Sequence, residues 1–433
     1  MRILAAFSIL ALSCSAVAAE PQTMFRGDAR HSGVTNAKGL PALHGVKWKF
    51  HCSGSVSSPA LSAGTLYLGC DDARLYALDA ATGAKKWEFK TGGRVASSPA
   101  VANGLVYVLS YDGKFYAIDA KSGEARWSFA TEGERRFAAP HIHGGAPDAE
   151  VMPDPFDFYL SSPVLAQGMV YFGSGDHHVY ALDAKSGALK WKFAAGNVVH
   201  GTPAVADGTL YIGGFDSRLY ALDAATGAEK WHFQAGTDDK IHNQEGFQSS
   251  PAVANGLVYV GCRDSKFYAL DAASGKVAWS YDNKGSWVIG SPAVTKDAVY
   301  FATSDTGLFH AVDAHTGAER FQIGTNHWPM FSSPVVAGGT VYLGSHHGQM
   351  LAIDIAAQKT AWSFDVEAAP KTKDFTDAEG KPDYSKMFAS PFYDDVVEGV
   401  IRTRASGAVL STPLVADGAV YFASADGEVY ALD

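Results

Sequence analysis

The chain has 433 residues and is rich in glycine and aromatic residues, with 45 Gly, 24 Phe, 19 Tyr and 9 Trp. This turn-dense, aromatic composition is typical of all-β architectures, which can carry such a length as a single domain. The formal net charge of -10 leaves no basic patch suited to phosphate groups, so nucleic acid is excluded as a partner.

The first residues have the parts of a secretory signal. Arg2 gives a positive start, residues 3–12 form a short apolar stretch, and the small residues 17–19 precede a cleavage point. We predict a signal peptide over 1–19, a lead-in segment over 20–45 and a periplasmic location. Cys14 lies where a lipoprotein cysteine could lie, but the residues before it match that motif poorly, so a lipid anchor is not expected. No later stretch has the length and apolarity of a transmembrane segment.

A two-block repeat fills the rest of the chain. Its first block is Ser or Gly, then Ser or Thr, then a proline: Pro59, Pro99, Pro163, Pro203, Pro251, Pro292, Pro334 and Pro413. Its second block ends in an aspartate: Asp79, Asp119, Asp183, Asp223, Asp271, Asp313, Asp354 and Asp433. The simplest spacing is about 40 residues, which is the length of four short strands with their turns.

The segments between these blocks are predicted to be strands whose two faces are both covered. Residues 105–109 and 115–118 are nearly continuous apolar runs, as expected where each four-stranded blade of a β-propeller lies between two neighbours. After the second block comes a Gly-containing turn and then an aromatic residue, for example Asp79, Gly83 and Trp87. We predict that this Asp accepts hydrogen bonds from the turn amides and that the Trp packs on the adjacent blade.

The repeat count predicts how the ring closes. Asp433 is the last residue, so the eighth blade has no fourth strand after it, while residues 48–50 match the fourth strand that contains Trp87 and precede the first block. We therefore predict an all-β, eight-bladed β-propeller of four-stranded antiparallel blades over residues 46–433, with the N-terminal strand completing the last blade.

The repeat also resembles a known family. Residues 79–87, Asp-Ala-Ala-Thr-Gly-Ala-Lys-Lys-Trp, are similar to the tryptophan-docking repeat of PQQ-like, quinoprotein-type β-propellers. These include the pyrroloquinoline-quinone (PQQ) dehydrogenases and the outer-membrane assembly lipoprotein BamB. Residues 24–28, Met-Phe-Arg-Gly-Asp, followed by His31, resemble the lead-in segment of such proteins. The resemblance implies the fold, and either a scaffold in the cell envelope or a PQQ- and calcium-dependent enzyme.

Three connections are longer than the repeat requires: 132–158, 237–247 and 365–409. All follow a fourth strand, so they share one face of the disc with the turns between second and third strands, since antiparallel neighbours reverse direction at each turn. Long loops inside a compact repeat are usually functional or disordered. We predict that this face is the working surface.

Histidines and two unusual positions point to the same face. The pairs His141/His143, His177/His178 and His346/His347 are candidate transition-metal ligands, although neighbouring side chains on a turn usually point apart.

Three residues before the repeat proline, six blades have an apolar residue, whereas blades four and five have His200 and Gln248. Such buried polar groups cost about 1–3 kcal/mol unless they have partners, which a bound cofactor or the insertions could supply. Acidic and aromatic residues of the first insertion could cap such a pocket: Asp148, Glu150, Asp154, Phe156, Asp157 and Tyr159.

The cysteines bear on both compartment and chemistry. Removal of residues 1–19 leaves Cys52, Cys70 and Cys262, and an oxidising compartment permits a Cys52–Cys70 disulfide; the alternative is three small buried side chains. No two cysteines are adjacent, so the vicinal disulfide of the dehydrogenases cannot form, and no Cys-x-x-Cys-His motif for attached haem is present.

The sequence therefore favours a monomeric periplasmic binding or scaffold module, BamB-like in general kind, whose loop-rich face binds an envelope protein or a small ligand. The alternatives are a PQQ-dependent dehydrogenase and a propeller that binds a metal or redox ligand on its His-rich face. No catalytic residue is predicted, and no diagnostic motif supports PQQ, calcium or a transition metal.

Overall fold

The structure, a computed structural model, describes residues 22–140, 142, 146–147, 149–236, 246–416 and 418–433. Eight four-stranded antiparallel sheets follow one another around an axis, with the first strands of successive blades in contact near the centre. The predicted eight-bladed propeller is confirmed. The predicted signal peptide, Cys14, His141, His143 and most of the second insertion lie outside the described residues.

The strands of each blade follow one another in chain order from the axis outward. Their bounds are Ala60–Ser62, Thr65–Cys70, Arg74–Asp79 and Lys85–Lys90 in blade 1; Ala100–Ala102, Leu105–Ser110, Lys114–Asp119 and Ala125–Ala130 in blade 2; Val164–Ala166, Met169–Gly173, His178–Asp183 and Leu189–Ala194 in blade 3; Ala204–Ala206, Thr209–Gly213, Arg218–Asp223 and Glu229–Gln234 in blade 4; Ala252–Ala254, Leu257–Gly261, Lys266–Asp271 and Val277–Asp282 in blade 5; Ala293–Val294, Ala298–Ala302, Leu308–Asp313 and Glu319–Gly324 in blade 6; Val335–Ala337, Thr340–Gly344, Gln349–Asp354 and Lys359–Asp365 in blade 7; Leu414–Ala416, Ala419–Ala423 and Glu428–Leu432 in blade 8.

The eighth blade is completed by the strand Val46–His51, which pairs antiparallel with Glu428–Leu432. Trp48 lies opposite Ala431, and Lys49 lies opposite Tyr430. Because this pairing covers what would be an open sheet edge, it closes the ring as predicted.

Neighbouring blades are joined by the repeated tryptophan. The indole Nε1 of Trp87 donates to the carbonyl of Ala120 in the next blade at 3.1 Å, and Trp48, Trp191, Trp231 and Trp279 make the equivalent bond. The ring of Trp87 lies against Gly123, where an added Cβ would come within 2.8 Å of it. The turn glycine is thus required by both a positive φ of 75° and this close contact.

The Ser/Thr of the first block forms a belt around the axis. The backbone N–H of Ser162 donates to the Thr202 hydroxyl at 3.0 Å, and that of Thr202 donates to the Ser250 hydroxyl at 2.9 Å. The same bond links Ser98 to Ser162, Ser250 to Ser291, Ser291 to Ser333 and Thr412 to Ser58. The repeat motif therefore stabilises the contact between blades at the narrowest part of the ring.

The lead-in segment covers one end of the axis. Carbonyl groups of residues 22, 23, 29, 30, 32 and 33 accept hydrogen bonds from first-strand amides of six blades. Val34–Thr35 then pairs in parallel with the first strand of blade 7. Arg30 contacts Asp207 in a turn between a first and a second strand, so the segment covers the face opposite the long insertions.

The insertions add little regular structure. The first contains a two-stranded pair, Ala138–Ala139 with Met152–Pro153, and the third contains a 3-10 helix at Ala369–Phe375 and two α-helices, α1 (Tyr384–Met387) and α2 (Tyr393–Ala405). Among the described residues, no helix combines the length and apolar character that crossing a membrane requires.

A disulfide joins the closing strand to blade 1. Cys52 follows Val46–His51, Cys70 ends the second strand of blade 1, and their sulfurs are bonded, while Cys262 is a free, buried thiol. Of the two alternatives left open by the sequence, the structure has the Cys52–Cys70 bridge.

Candidate functional site

The described parts of the first and third insertions, within 132–158 and 365–409, meet on what we call the loop-bearing face. The backbone N–H of Ala146 donates to the carbonyl of Pro391, and the hydroxyl of Tyr393 donates to the carbonyl of Pro153 at 2.6 Å. Tyr159 reaches across to the carbonyl of Leu410 at 3.3 Å. The two insertions therefore form a continuous surface above the axis.

His200 is fully enclosed beneath this surface. Its Nδ1 lies 2.7 Å from Oδ1 of Asp157, and its Nε2 lies 3.5 Å from Oε2 of Glu134, with all three side chains inaccessible to solvent. The other oxygen of Asp157 accepts from the backbone N–H of Phe137, and Glu134 accepts from Ser174 and the amide of Gly175. The insertion thus supplies the partners of this unusual histidine.

The carboxylates of Asp157 and Glu134 keep His200 protonated. Burial lowers the pKa of a histidine, but the attraction of the Asp157 and Glu134 carboxylates and the hydrogen bond to Asp157 outweigh that effect and raise the pKa of His200 to about 10. His200 is therefore an imidazolium at neutral pH, and it acts as the cation that fixes two acidic residues of the first insertion.

A second buried network surrounds Gln248. Its Oε1 accepts from the Arg263 guanidinium, and its Nε2 donates to the carbonyl of Phe156 at 2.9 Å. Arg263 also pairs with Asp154, and its guanidinium lies 4.6 Å from the Trp287 ring and 5.0 Å from the Phe215 ring. His200 and Gln248, the two departures from the repeat, both anchor the first insertion.

The axial space between these networks is small. Both side chains line a cavity of about 60 Å³, which Phe25 closes from the lead-in side and Phe158, Tyr159 and Arg404 approach from the loop-bearing face. A water occupies roughly 30 Å³, and small-molecule sites are usually about 300–1,000 Å³. The residues at the axis therefore do not fit a tricyclic quinone, and the nearby carboxylates are already paired with His200 and Arg263. The role of His200 and Gln248 in binding a cofactor stays a prediction.

The two histidine pairs in the described part of the chain belong to different blades. His177 and His178 belong to blade 3, with His178 Nδ1 3.1 Å from the Asp176 carbonyl, whereas His346 and His347 belong to a turn of blade 7. There the His347 ring packs on Trp328 at 4.9 Å and the His346 ring packs on Phe331 at 4.4 Å. In the described parts of the chain, the one group of three potential metal ligands is Cys52, Cys70 and Asp72, in which both sulfurs form the disulfide. A metal at the histidines stays a prediction.

Sequence reasoning missed Arg263, Glu134 and Arg404. Arg404 lies at the end of the third insertion with its side chain 15% exposed, and its guanidinium is 4.6 Å from the Phe158 ring and 3.7 Å from Asp71. Arg263 precedes the turn aspartate Asp264, a position where the other blades have no basic residue except His346. Comparison of that position between blades would have found Arg263, whereas Glu134 and Arg404 lie in insertions that have no counterpart in the repeat.

Exposed apolar side chains are concentrated on the insertions. Four of the large ones in the described chain lie there: Val151, Tyr384, Phe392 and Ile401. The other three are dispersed on fourth strands at the outer rim: Val46, Leu189 and Val277. Val151 is 67% exposed and Phe392 61%, and they belong to the two segments that meet at Ala146 and Pro391. Clustered exposed apolar groups mark interaction surfaces more often than isolated ones.

Several solved structures share this fold. BamB from Moraxella catarrhalis superposes with a TM-score of 0.63 at 16% identity, covering 90% of this chain and 97% of that chain. A europium-containing methanol dehydrogenase gives 0.67 at 14% identity, covering 95% and 98%. Quinohemoprotein alcohol dehydrogenase from Comamonas testosteroni gives 0.68 at 14%, covering 95% and 80%. At these identities the likeness establishes the fold alone.

Comparison of the sequence with known families specifies the relationship more closely than structural similarity does. No curated protein matches the chain significantly. The family model described as outer membrane protein assembly factor BamB matches residues 37–151 and 155–282, which is more than half of the chain. The chain therefore belongs to the family of the outer membrane protein assembly factor BamB.

Proposed function

We propose that the chain is an exported, non-catalytic binding module of the cell envelope and that its loop-bearing face docks another protein. The observation that carries this proposal is the group of exposed apolar side chains on the two insertions, Val151, Phe392 and Ile401 above all. Family membership, the predicted signal peptide and a disulfide, which persists in oxidising compartments, support export and an envelope role.

The charges around the apolar side chains indicate what the partner surface carries. On α2 the exposed Asp394 and Glu398 lie between Phe392 and Ile401 in the sequence, and the exposed Arg402 follows Ile401. Acidic groups therefore outnumber the basic one on this helix surface, and the whole chain has a net charge of -10. A complementary partner presents apolar side chains bordered by Lys and Arg. Binding through such a surface depends on ionic strength, because exposed charges are screened by salt.

The dehydrogenase alternative has no support from the axial residues, whose cavity of about 60 Å³ is too small for the quinone. Titration of the purified mature protein with PQQ and calcium is expected to give no quinone absorbance band and no dye reduction. A band with turnover of an alcohol would replace the binding-module proposal by the enzymatic one.

In-cell photo-crosslinking tests the docking proposal. A photoreactive phenylalanine analogue is placed singly at Phe392, Ile401 or Val151, and at Lys296, which is exposed on the opposite face in a turn of blade 6. We expect the same cross-linked protein from the three loop-bearing positions and none from Lys296.

As a matched control, an aspartate is introduced once on the loop-bearing face and once at the outer rim. Phe392→Asp should abolish the cross-link formed from Ile401, whereas Leu189→Asp, at a rim position 45% exposed, should leave it intact. Equal cross-linking from both faces, or none from the loop-bearing face, contradicts the proposal.

A further inference from the structure

A second, larger cavity lies away from the axis, beneath the helices of the third insertion. Its volume is about 370 Å³, which is within the usual range of roughly 300–1,000 Å³ for small-molecule sites. α1 and α2 form its roof, and the connections after blades 5 and 6 and a turn of blade 7 form its floor. It shares Phe156 and Phe331 with the environment of the axis but lies off it.

The walls are largely aromatic and aliphatic. Trp287, Trp328 and Phe331 line the floor, and Tyr384, Phe388 and Val400 line the roof. The roof is held in place by polar contacts at its margin: Trp328 Nε1 donates to the carbonyl of Gly380 at 3.0 Å, and the Tyr384 hydroxyl donates to Asp305 at 3.3 Å. The cavity is thus a built feature with fixed walls, and such apolar cavities take up apolar ligands rather than water.

His346 is a buried polar residue in this largely apolar lining, which also includes Ser304, Asp305 and Thr403. Its backbone N–H donates to the carbonyl of Pro329 at 2.8 Å, and its ring contacts the edge of Phe331. The ring Nε2 is buried and has no hydrogen-bond partner within the described chain. Burial, with Arg404 nearby, lowers the pKa of His346 to about 3, so the imidazole is neutral. A buried unpaired ring nitrogen costs free energy that a ligand hydroxyl or carbonyl would recover.

We propose that this cavity is a binding site for a neutral, flat, largely apolar small molecule with one hydroxyl or carbonyl group, which hydrogen-bonds to His346. The aromatic walls favour a planar ligand, because offset stacking and edge contacts with Trp and Phe stabilise it beyond simple burial. Tyr384 is both a roof residue of the cavity and one of the exposed side chains of the loop-bearing face, but Val151, Phe392 and Ile401 do not line the cavity. The cavity can therefore bind a ligand whether or not that face docks a protein.

Fluorescence titration with N-phenyl-1-naphthylamine, a neutral apolar probe, tests whether the cavity binds. We expect saturable binding at one site per chain. Val400→Trp places an indole in the cavity and should weaken binding by about tenfold or more, while the matched Val277→Trp, on the outer rim, should leave it unchanged. Thermal unfolding of both variants confirms that they are folded. Absence of saturable binding in the wild type, or equal binding by Val400→Trp, overturns the proposal.

The role of His346 is tested with an isosteric ligand pair. The wild type should bind 1-naphthol roughly fivefold more tightly than 1-methylnaphthalene, because only the former can hydrogen-bond to the ring nitrogen. His346→Leu should bind both equally. A preference that persists in His346→Leu overturns the assignment of that residue, and Phe392→Asp, which disables the docking surface, should change neither affinity.

Discussion

At the scale of single residues, the informative positions are those at which one blade departs from the others. His200 and Gln248 were identifiable from the sequence because six blades have apolar residues at their position. Among the partners, the sequence indicated Asp157 and Asp154 only as acidic residues of the first insertion that could cap this region, and the structure pairs them with His200 and Arg263. Glu134 was missed, because the path of the insertion depends on tertiary contacts and follows no periodic pattern. The sequence left open whether a ligand or the insertion pairs with these groups, and the insertion provides the contacts.

Removal of the His200 cation should destabilise the protein strongly. His200→Leu leaves Asp157 and Glu134 buried without it, and breaking a buried pair by removal of one partner costs about 3–5 kcal/mol. Urea denaturation measures this change. His232→Leu, which removes an exposed side-chain contact with Glu229, is the control and should cost less than about 1 kcal/mol. Equal effects of the two substitutions would contradict the anchoring role.

The same residue predicts a pH dependence. The folded-state pKa of His200, about 10, lies above the ordinary histidine value of 6.5, so its stabilising effect is complete below pH 6.5 and is lost as pH rises toward 10. Between pH 7 and 9 the free energy of unfolding should fall by roughly 1 kcal/mol per pH unit because of this group. Denaturation series at several pH values measure the slope, which should be flatter in His200→Gln. An unchanged slope in that variant contradicts a charged His200.

At the scale of elements, the repeat predicted the blades because its residues act through local turns and contacts with the next blade. Asp79 accepts from the amides of Ala81 and Thr82, and Trp87 docks on the next blade, both as expected from their spacing. The helices α1 and α2 have no counterpart in the repeat, and the sequence indicated only that the third insertion is long.

The contact between Trp87 and Gly123 can be tested by comparing substitutions at two glycines of blade 2. Gly123→Ala places a Cβ against the Trp87 ring at 2.8 Å, whereas Gly104, with the same positive φ, has nothing within 4 Å of an added Cβ. Both substitutions share the backbone strain, so the difference between them reports the contact. We expect Gly123→Ala to lower the free energy of unfolding by about 1–3 kcal/mol more than Gly104→Ala in urea denaturation. Equal losses would mean that the tryptophan adapts without cost.

At the scale of the whole molecule, the ring depends on a contact between residues distant in sequence. Val46–His51 completes the last blade, and the disulfide fixes the end of that strand to blade 1. The closure was predictable because the repeat count left one strand missing, whereas the disulfide was one of two alternatives for the cysteines.

Loss of the disulfide should weaken this closure. Cys52 and Cys70 are 18 residues apart, and a cross-link closing a loop of that size stabilises by about 3 kcal/mol through the unfolded state. We expect the Cys52→Ser/Cys70→Ser variant to unfold at lower urea concentration by that amount. Cys262→Ser, at the free buried thiol, serves as the comparison variant that leaves the cross-link intact, and a double variant no less stable than it would contradict a role for the bridge.

Protein docking on the loop-bearing face is tested most directly by the affinity of the cross-linked partner once it is purified. Calorimetric titration should give binding that weakens as salt increases and that falls by more than about tenfold in Phe392→Asp/Ile401→Asp, with Leu189→Asp unchanged. Wild-type affinity in the double variant, or loss of affinity in the rim variant alone, would show that the partner binds elsewhere on the propeller.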